Sequence, residues 1–367
     1  MQQRGLYDVQ ASIKVFGIGG GGCNAVERMI GAGVAGVEFV ALNTDVQTLA
    51  RSSAPTRLAI GQDVTRGLGT GGNPEIGREA AEAAEREIRA CVAGVDMAFV
   101  TCGMGGGTGS GAAPVVARIC REERALTVAV VTKPFTFEGP KRCRNAEAAV
   151  AELRDSVDTI ICVPNDRLLD VVSKTTTLNE AFGCADDVLR QAVQSITDIV
   201  LVPGVINVDF ADVRSIMSEA GPAMMGIGHG RGDNKAMDAA SRAVSSPLLE
   251  RSIEGASRVL VNLTGGEDLT LGEANDAMSY IQEFVDPDDG NIIMGHVCDP
   301  AMEGQARVIV LAAGLPRHGE RDSGYRLEQH IRQPQAVPTQ AEPPRPPHQS
   351  AEEESIDIPS FLRRYRQ

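Results

Sequence analysis

The chain has 367 residues, 43% of them hydrophobic and only 4% aromatic, with no tryptophan. That length suggests two domains plus extensions, with a globular core built from Val, Ile, Leu and Ala. A net charge of −14 argues against nucleic acid or an anionic membrane as the main partner, but not against a nucleotide whose charge is met locally.

The first ten residues carry an acid and lack an apolar core, so no signal peptide is expected, and no apolar run approaches membrane-spanning length. None of the eight cysteines forms a Cys-x-x-Cys pair, and several sit in apolar runs such as Ile160-Ile161-Cys162-Val163. They are expected to be reduced cytosolic thiols rather than a disulfide framework. The histidines show no metal-ligand spacing.

In chain order, residues 13–19 predict a first strand. Gly19 to Gly22 lead into a helix over 24–30, and Gly17, Gly19 and Gly22 fit the dinucleotide fingerprint Gly-x-Gly-x-x-Gly. A second strand over 37–42 ends at Asn43-Thr44-Asp45, which puts an acid where a ribose-binding carboxylate is expected. Asn73-Pro74-Glu75 is an N-cap with proline at the first helical position, opening a helix to about Cys91.

The apolar run Met97 to Cys102 predicts a buried strand. It runs into Gly103-Met104-Gly105-Gly106-Gly107-Thr108-Gly109-Ser110-Gly111, and a helix follows with Pro114 in its first turn. A glycine loop between a strand end and a helix start presents unpaired N–H groups and a positive dipole end. Its natural guest is a polyphosphate. No Gly-Lys-Ser/Thr ending is present, so this is not a P-loop, and phosphate would be held mainly by backbone dipoles and a metal ion.

Strands follow over 126–132 and 158–163, separated by a loop at 134–139 and a helix over 141–153. Alternation of this kind gives a doubly wound parallel sheet, with both glycine loops at its ligand edge. Thr177 to Glu180 is a capping box opening a helix of about 24 residues, which at ~1.5 Å each spans roughly 36 Å and can connect two remote sites. Pro203-Gly204 stops it. In Asn207-Val208-Asp209-Phe210-Ala211-Asp212, Asp212 reads as a helix N-cap, whereas Asn207 and Asp209 have no such structural use. An α+β half with mixed strands follows: helices over 213–219, 234–245 and 271–285, and strands over 224–228, 258–264, 291–298 and 306–313. Residues 316–350 are proline-rich and poor in apolar side chains, as in a disordered linker. Apolar and basic residues then return at Ile356-Asp357-Ile358-Pro359-Ser360-Phe361-Leu362-Arg363-Arg364, which reads as a docking peptide.

Gly105 to Gly111 resembles the signature loop of the tubulin/FtsZ family. Gly19–Asn24, Asn43–Asp45, Pro134–Arg142, Pro164-Asn165, Phe182–Leu189, Asn207–Asp212, Ala223–Gly228 and the terminal peptide resemble FtsZ more than tubulin. The resemblance implies a tubulin/FtsZ-like fold: a Rossmann-like doubly wound N-terminal sheet joined by a long central helix to an α+β C-terminal domain, then a disordered tail. It implies an N-terminal extension (1–10), a GTP-binding domain (11–176), the connecting helix (177–202), an assembly domain (203–316), a linker (317–352) and a docking peptide (353–367). It also implies a GTPase, active on assembly, that polymerises head to tail into the cytoplasmic division ring at the septum and meets membrane-tethering and regulatory division proteins through the peptide.

Carried over by position, Gly20, Gly21, Gly22, Cys23 and Asn24, with Gly103, Gly105, Gly106, Gly107, Thr108 and Gly109, would hold the phosphates of GTP or GDP. Glu138, Arg142, Phe182 and Asp186 would surround ribose and guanine, with Asn43 and Asn165 also at the nucleotide. Asn207, Asp209 and Asp212 would act on the neighbour's GTP. Mg2+ is expected on the phosphates, with dependence on K+ left open. Two rivals remain at this point. One is an NAD-type oxidoreductase built on the Gly17 fingerprint, which leaves the second glycine loop unexplained. The other is a non-hydrolysing scaffold of the same fold.

Overall fold

The computed structural model describes residues 11–315, apart from Val171, Lys174, Pro203 and Asn207. Asn207 and the docking peptide therefore lie outside the described residues.

The elements run β1 (Ile13–Ile18), α1 (Gly19–Gly31), β2 (Glu38–Asn43), α2 (Val46–Ala50), β3 (Thr56–Ala59), α3 (Gln62–Thr65), α4 (Pro74–Ala83), α5 (Glu85–Val92), β4 (Met97–Gly103), α6 (Gly107–Glu122), β5 (Leu126–Lys133), α7 (Pro140–Ser156) and β6 (Thr159–Pro164). Then come α8 (Leu178–Leu201), α9 (Phe210–Met217), β7 (Gly221–Arg231), α10 (Lys235–Val244), β8 (Arg258–Gly265), α11 (Leu271–Gln282), β9 (Asn291–Cys298) and β10 (Gln305–Ala313).

One ten-stranded sheet carries everything, in the order β3-β2-β1-β4-β5-β6-β7-β10-β8-β9. From β3 to β6 every pairing is parallel. Val, Ile, Phe and Ala fill both faces of β4 and β5, as helices on either side of a parallel sheet require. Beyond β7 the pairing turns antiparallel through β10 and β8, then parallel again to β9. The sheet is continued between the halves by a short parallel register, Thr159↔Gly221, Ile160↔Pro222 and Ile161↔Ala223, after which β6 and β7 part. A separate apolar cluster packs α10 and α11 on the second half.

Three expectations are corrected. The helix from Pro74 breaks at Ala84 into α4 and α5. Pro114 lies deep inside α6, because the helix already begins at Gly107. That early start is dictated by packing. A Cβ on Gly111 would lie 1.9 Å from the Pro74 carbonyl oxygen, and one on Gly77 would lie 2.4 Å from that of Gly107, so glycines let α4 and α6 approach backbone to backbone. Asp209, not Asp212, caps α9: its carboxylate accepts from the Asp212 N–H at 2.8 Å. Asp45 caps α2, accepting from the N–H groups of Gln47 and Thr48 and from the Thr48 hydroxyl. Those bonds hold its carboxyl below the usual range and give Asp45 a structural use that the spacing alone did not suggest.

Candidate nucleotide site

At the carboxyl ends of β1, β4, β5 and β6 lies a cavity of about 400 Å³. Three helix N-termini reach it, through Gly20, Gly21 and Asn24 of α1, Gly107, Thr108 and Gly109 of α6, and Arg142 of α7. None of the three has a side-chain cap or an acid in its first turn. Each therefore presents bare N–H groups and a positive dipole end with no acid in its own first turn, although Glu138, just before α7, pairs with Arg142. In α7 the sequence goes further, placing Lys141 and Arg142 in the first turn, where a dipole alone would disfavour them. An anion between the three termini resolves this conflict.

The glycines divide by task. Nothing lies within 4 Å of a Cβ built on Gly20 or Gly106, and both line the cavity together with Gly103. Gly22 and Gly105 face protein instead. A Cβ on Gly22 would lie 2.4 Å from the Thr101 carbonyl oxygen, and one on Gly105, whose φ is +97°, would lie 2.7 Å from that of Arg142. Gly17 of the fingerprint likewise presses on the Gly22 carbonyl. Cys23 is buried with its thiol toward the Gly17 and Leu42 carbonyls, and burial pushes it up to about 12, so it stays neutral. Asn43 is buried and accepts from the Asp45 N–H. These four predicted contacts, Gly22, Cys23, Asn43 and Gly105, sit behind the wall and shape it. Side chains that sequence reasoning passed over, Thr70, Met104, Thr132 and Pro134, do line it. Met104 and Pro134 belong to segments already singled out, whereas Thr70 and Thr132 carry no motif of their own.

At the other end, Phe182 stands edge-on to Phe135 with ring centroids 5.4 Å apart, and Phe135 stacks on Phe137 at 4.9 Å. Of these rings only Phe182 lines the cavity, an aromatic side chain suited to stack against a base. Glu138 pairs with Arg142 and accepts from the Phe135 N–H at 2.9 Å. Asn165 is buried at the cavity wall, and its Oδ1 has no partner, an acceptor waiting for a donor from a ligand. Asp186, mostly buried, has its carboxyl raised to about 7 by desolvation, against the pull of Arg28. Among the described residues no cluster of His, Cys, Asp or Glu that could hold a metal ion is found.

Asp209 and Asp212 are exposed and do not line this cavity. The helix α8 starts beside it, with Phe182, Ala185 and Asp186 on its wall, and runs 24 residues to Leu201, roughly 36 Å away at ~1.5 Å per residue. The acids follow that far end.

Residues 12–173 match the model of the Tubulin/FtsZ family GTPase domain, and residues 221–316 that of the FtsZ family C-terminal domain. An empty FtsZ dimer from M. jannaschii is 44% identical, with a TM-score of 0.80 over 84% of this chain and 90% of that one. The chain belongs to the tubulin/FtsZ family. A second M. jannaschii FtsZ structure, of a point mutant, is also 44% identical, with a TM-score of 0.80 over 83% and 92% of the two chains. CetZ2 from Haloferax volcanii, in a GTPγS-bound protofilament, shares the fold at 22% identity, with a TM-score of 0.71 over 84% and 94%. The cavity thus lies mainly within the match to the family's GTPase domain, which implies GTP and GDP binding, with Phe182, Ala185 and Asp186 of α8 completing its lining. Among the described residues no helix is long and apolar enough to cross a membrane.

Proposed function

We propose that this chain polymerises head to tail and hydrolyses GTP only at the junction of two subunits, with Asn207, Asp209 and Asp212 of one acting on the GTP of the next. The observation that carries this reading is the composition of the cavity. Its carboxylates are Glu138, paired to Arg142, and Asp186, at the base end. The glycine wall has none to align a water. Phosphoryl transfer needs the γ-phosphate charge neutralised and a nucleophile oriented. The N–H groups of α1 and α6 do the first, and the second awaits a partner's acids. The Phe182 ring would hold the base, the Asp186 carboxylate would accept from guanine donors, and Asn165 and Glu138 would meet the ribose. Mg2+ on the phosphate oxygens would supply charge neutralisation and permit a carboxylate to approach. On this reading residues 11–176 bind GTP and residues 203–316 serve assembly. Residues 353–367 would dock tethering and regulatory proteins of the cytoplasmic division ring, and their deletion should leave GTPase activity intact while abolishing ring attachment.

The deciding experiment is GTP hydrolysis against protein concentration with Mg2+, with light scattering in parallel. A threshold, above which turnover and scattering rise together, is expected. Turnover proportional to concentration from zero, without scattering, would mean a complete intrachain site. The variant Asp212→Ala should still bind GTP and assemble, with hydrolysis reduced about 100-fold.

A further inference from the structure

We infer that Gly204 and the edge of β9 at His296 form a backbone clamp that sets where Asp209 and Asp212 stand, which makes Gly204 a positioning residue for hydrolysis. This rests on the reading that those acids serve the next subunit's GTP, and adds to it the means by which one chain holds them in place. α8 ends at Leu201, and α9 starts at Phe210 under the Asp209 cap. Residues 202–209 run between them without regular structure. A stretch of that length has many backbone paths open to it. The side chains at its centre do little to select one, since Val205 is 82% exposed and Ile206 43%. The acids themselves are exposed as well.

Backbone contacts hold this centre instead. The His296 N–H donates to the Ile206 carbonyl at 3.1 Å. A Cβ on Gly204 would lie 1.7 Å from the His296 carbonyl oxygen and 2.9 Å from its carbon. One residue of β9 thus meets positions 204 and 206 together, as a strand residue meets alternate residues of a neighbouring strand. β9 is the last strand of the sheet, and it pairs with β8 from Arg258↔Asn291 to Gly265↔Cys298, with His296 opposite Leu263. The residue before His296 supports the end of α8: a Cβ on Gly295 would lie 3.0 Å from both Cγ1 and Cγ2 of Ile199. The last turns of α8 and the segment after it therefore rest on consecutive residues of one strand. Gly204 has no positive φ, so its conformation is open to any residue and the close approach of β9 is what requires glycine. His296 acts through its main chain, since both ring nitrogens are buried without a partner. Beyond the acids, Arg214 of α9 donates to the Asp96 carbonyl at 3.3 Å and Arg258 to the Ser218 carbonyl at 2.7 Å. Clamp and ties bracket Asp209 and Asp212. A side chain at 204 must push the segment off β9 by on the order of 1 Å, and a displacement of that size at reacting groups costs about 100-fold in rate.

The test is a double-variant cycle on the full-length chain. It reads GTP turnover per subunit above the assembly threshold, with GTP affinity measured beside it. Gly204→Ala should lower turnover at least about tenfold while GTP affinity holds, since no residue beyond α8 lines the cavity. Combined with Asp212→Ala, the two losses should fall well short of multiplying, because the glycine acts through the acids it places. A wild-type rate for Gly204→Ala, or losses that multiply in full, would overturn the proposal. His296→Pro covers the case in which Gly204→Ala does not fold. It removes the N–H that Ile206 accepts, and that N–H points away from β8, so no ladder bond is lost. It should reproduce the fall in turnover at unchanged GTP affinity. Loss of GTP binding in both variants would make the contact a support of the fold and overturn the positioning role. A wild-type rate for Asp212→Ala alone would instead strike the reading that the acids act on the neighbour's GTP.

Discussion

Among the described residues, the helices start in three ways. α2, α4, α8, α9 and α11 are closed by a side chain, from Asp45, Asn73, Thr177, Asp209 and Thr270 respectively. α3, α5 and α10 lack that bond but carry an acid in the first turn. α1, α6 and α7 have neither, and all three abut one cavity. A helix N-terminus left without cap or acid forgoes about 1 kcal/mol of stability. Three such omissions at one place mark a site where the missing charge comes from a ligand. The lesson is that a binding site shows in what the chain leaves unsatisfied as much as in what it supplies.

The sharpest way to break that comparison is to fill the glycines on either side of the wall. Gly22→Ala drives a methyl into the Thr101 carbonyl and should destabilise the fold by about 3 kcal/mol, read as a lowered melting temperature. Gly20→Ala meets no protein atom, so the melting temperature of the nucleotide-free chain should hold while GTP affinity falls about 100-fold. If Gly20→Ala binds GTP normally, α1 does not face the phosphates.

These two glycines also show how far the sequence was legible. Apolar strand runs, capping boxes at Thr177 and Thr270, and two glycine loops at strand ends were readable because each rests on local chemistry. The tasks of neighbouring glycines were not, since whether Gly20 or Gly22 faces the ligand depends on where β4 passes. Nor was the start of α6, because glycine is a poor helix former and only the close approach of α4 imposes the helix from Gly107. β3 escaped notice because Thr56-Arg57-Leu58-Ala59 is a short, largely exposed edge strand. Asp209 and Asp212 were both visible as acids, but which one caps α9 follows from where the backbone turns. In the site, Asn24, Glu138, Asn165 and Phe182 line the cavity, while Cys23 and Asn43 lie behind it.

A second test concerns Asp186, the cavity carboxylate whose burial outweighs the pull of Arg28. Its folded value of about 7 lies above the ordinary 3.8 because of burial. The sign follows from linkage: the stability associated with this group is fully present below the unfolded pKa and is lost as pH rises through 7. Guanine donors need the ionised form. GTP affinity should therefore fall by about tenfold for each pH unit below 7, measured by titration between pH 5.5 and 8. The variant Asp186→Asn should lose this dependence and bind GTP weakly throughout. Without nucleotide its melting temperature should exceed the wild type's by more at pH 8 than at pH 5.5. A wild-type affinity flat across that range would remove Asp186 from the guanine contact.

The smallest effect separates capped from uncapped helix starts most cleanly. Thr177→Ala removes the side-chain acceptor for the Glu180 N–H, and should lower stability by about 1 kcal/mol while leaving GTP affinity unchanged, since that terminus is already satisfied. Lys141→Glu does the reverse to α7. It places an acid in a first turn that has none and removes a cation from it, which should stabilise the nucleotide-free chain by about 0.5 kcal/mol. The same charge then stands beside the phosphates, so GTP affinity should fall a few-fold, and less so at high salt. Opposite signs on stability and affinity are what a ligand-completed terminus requires. Were Lys141→Glu to lower both, Lys141 would be holding the fold rather than the nucleotide, and the uncapped start of α7 would need another cause.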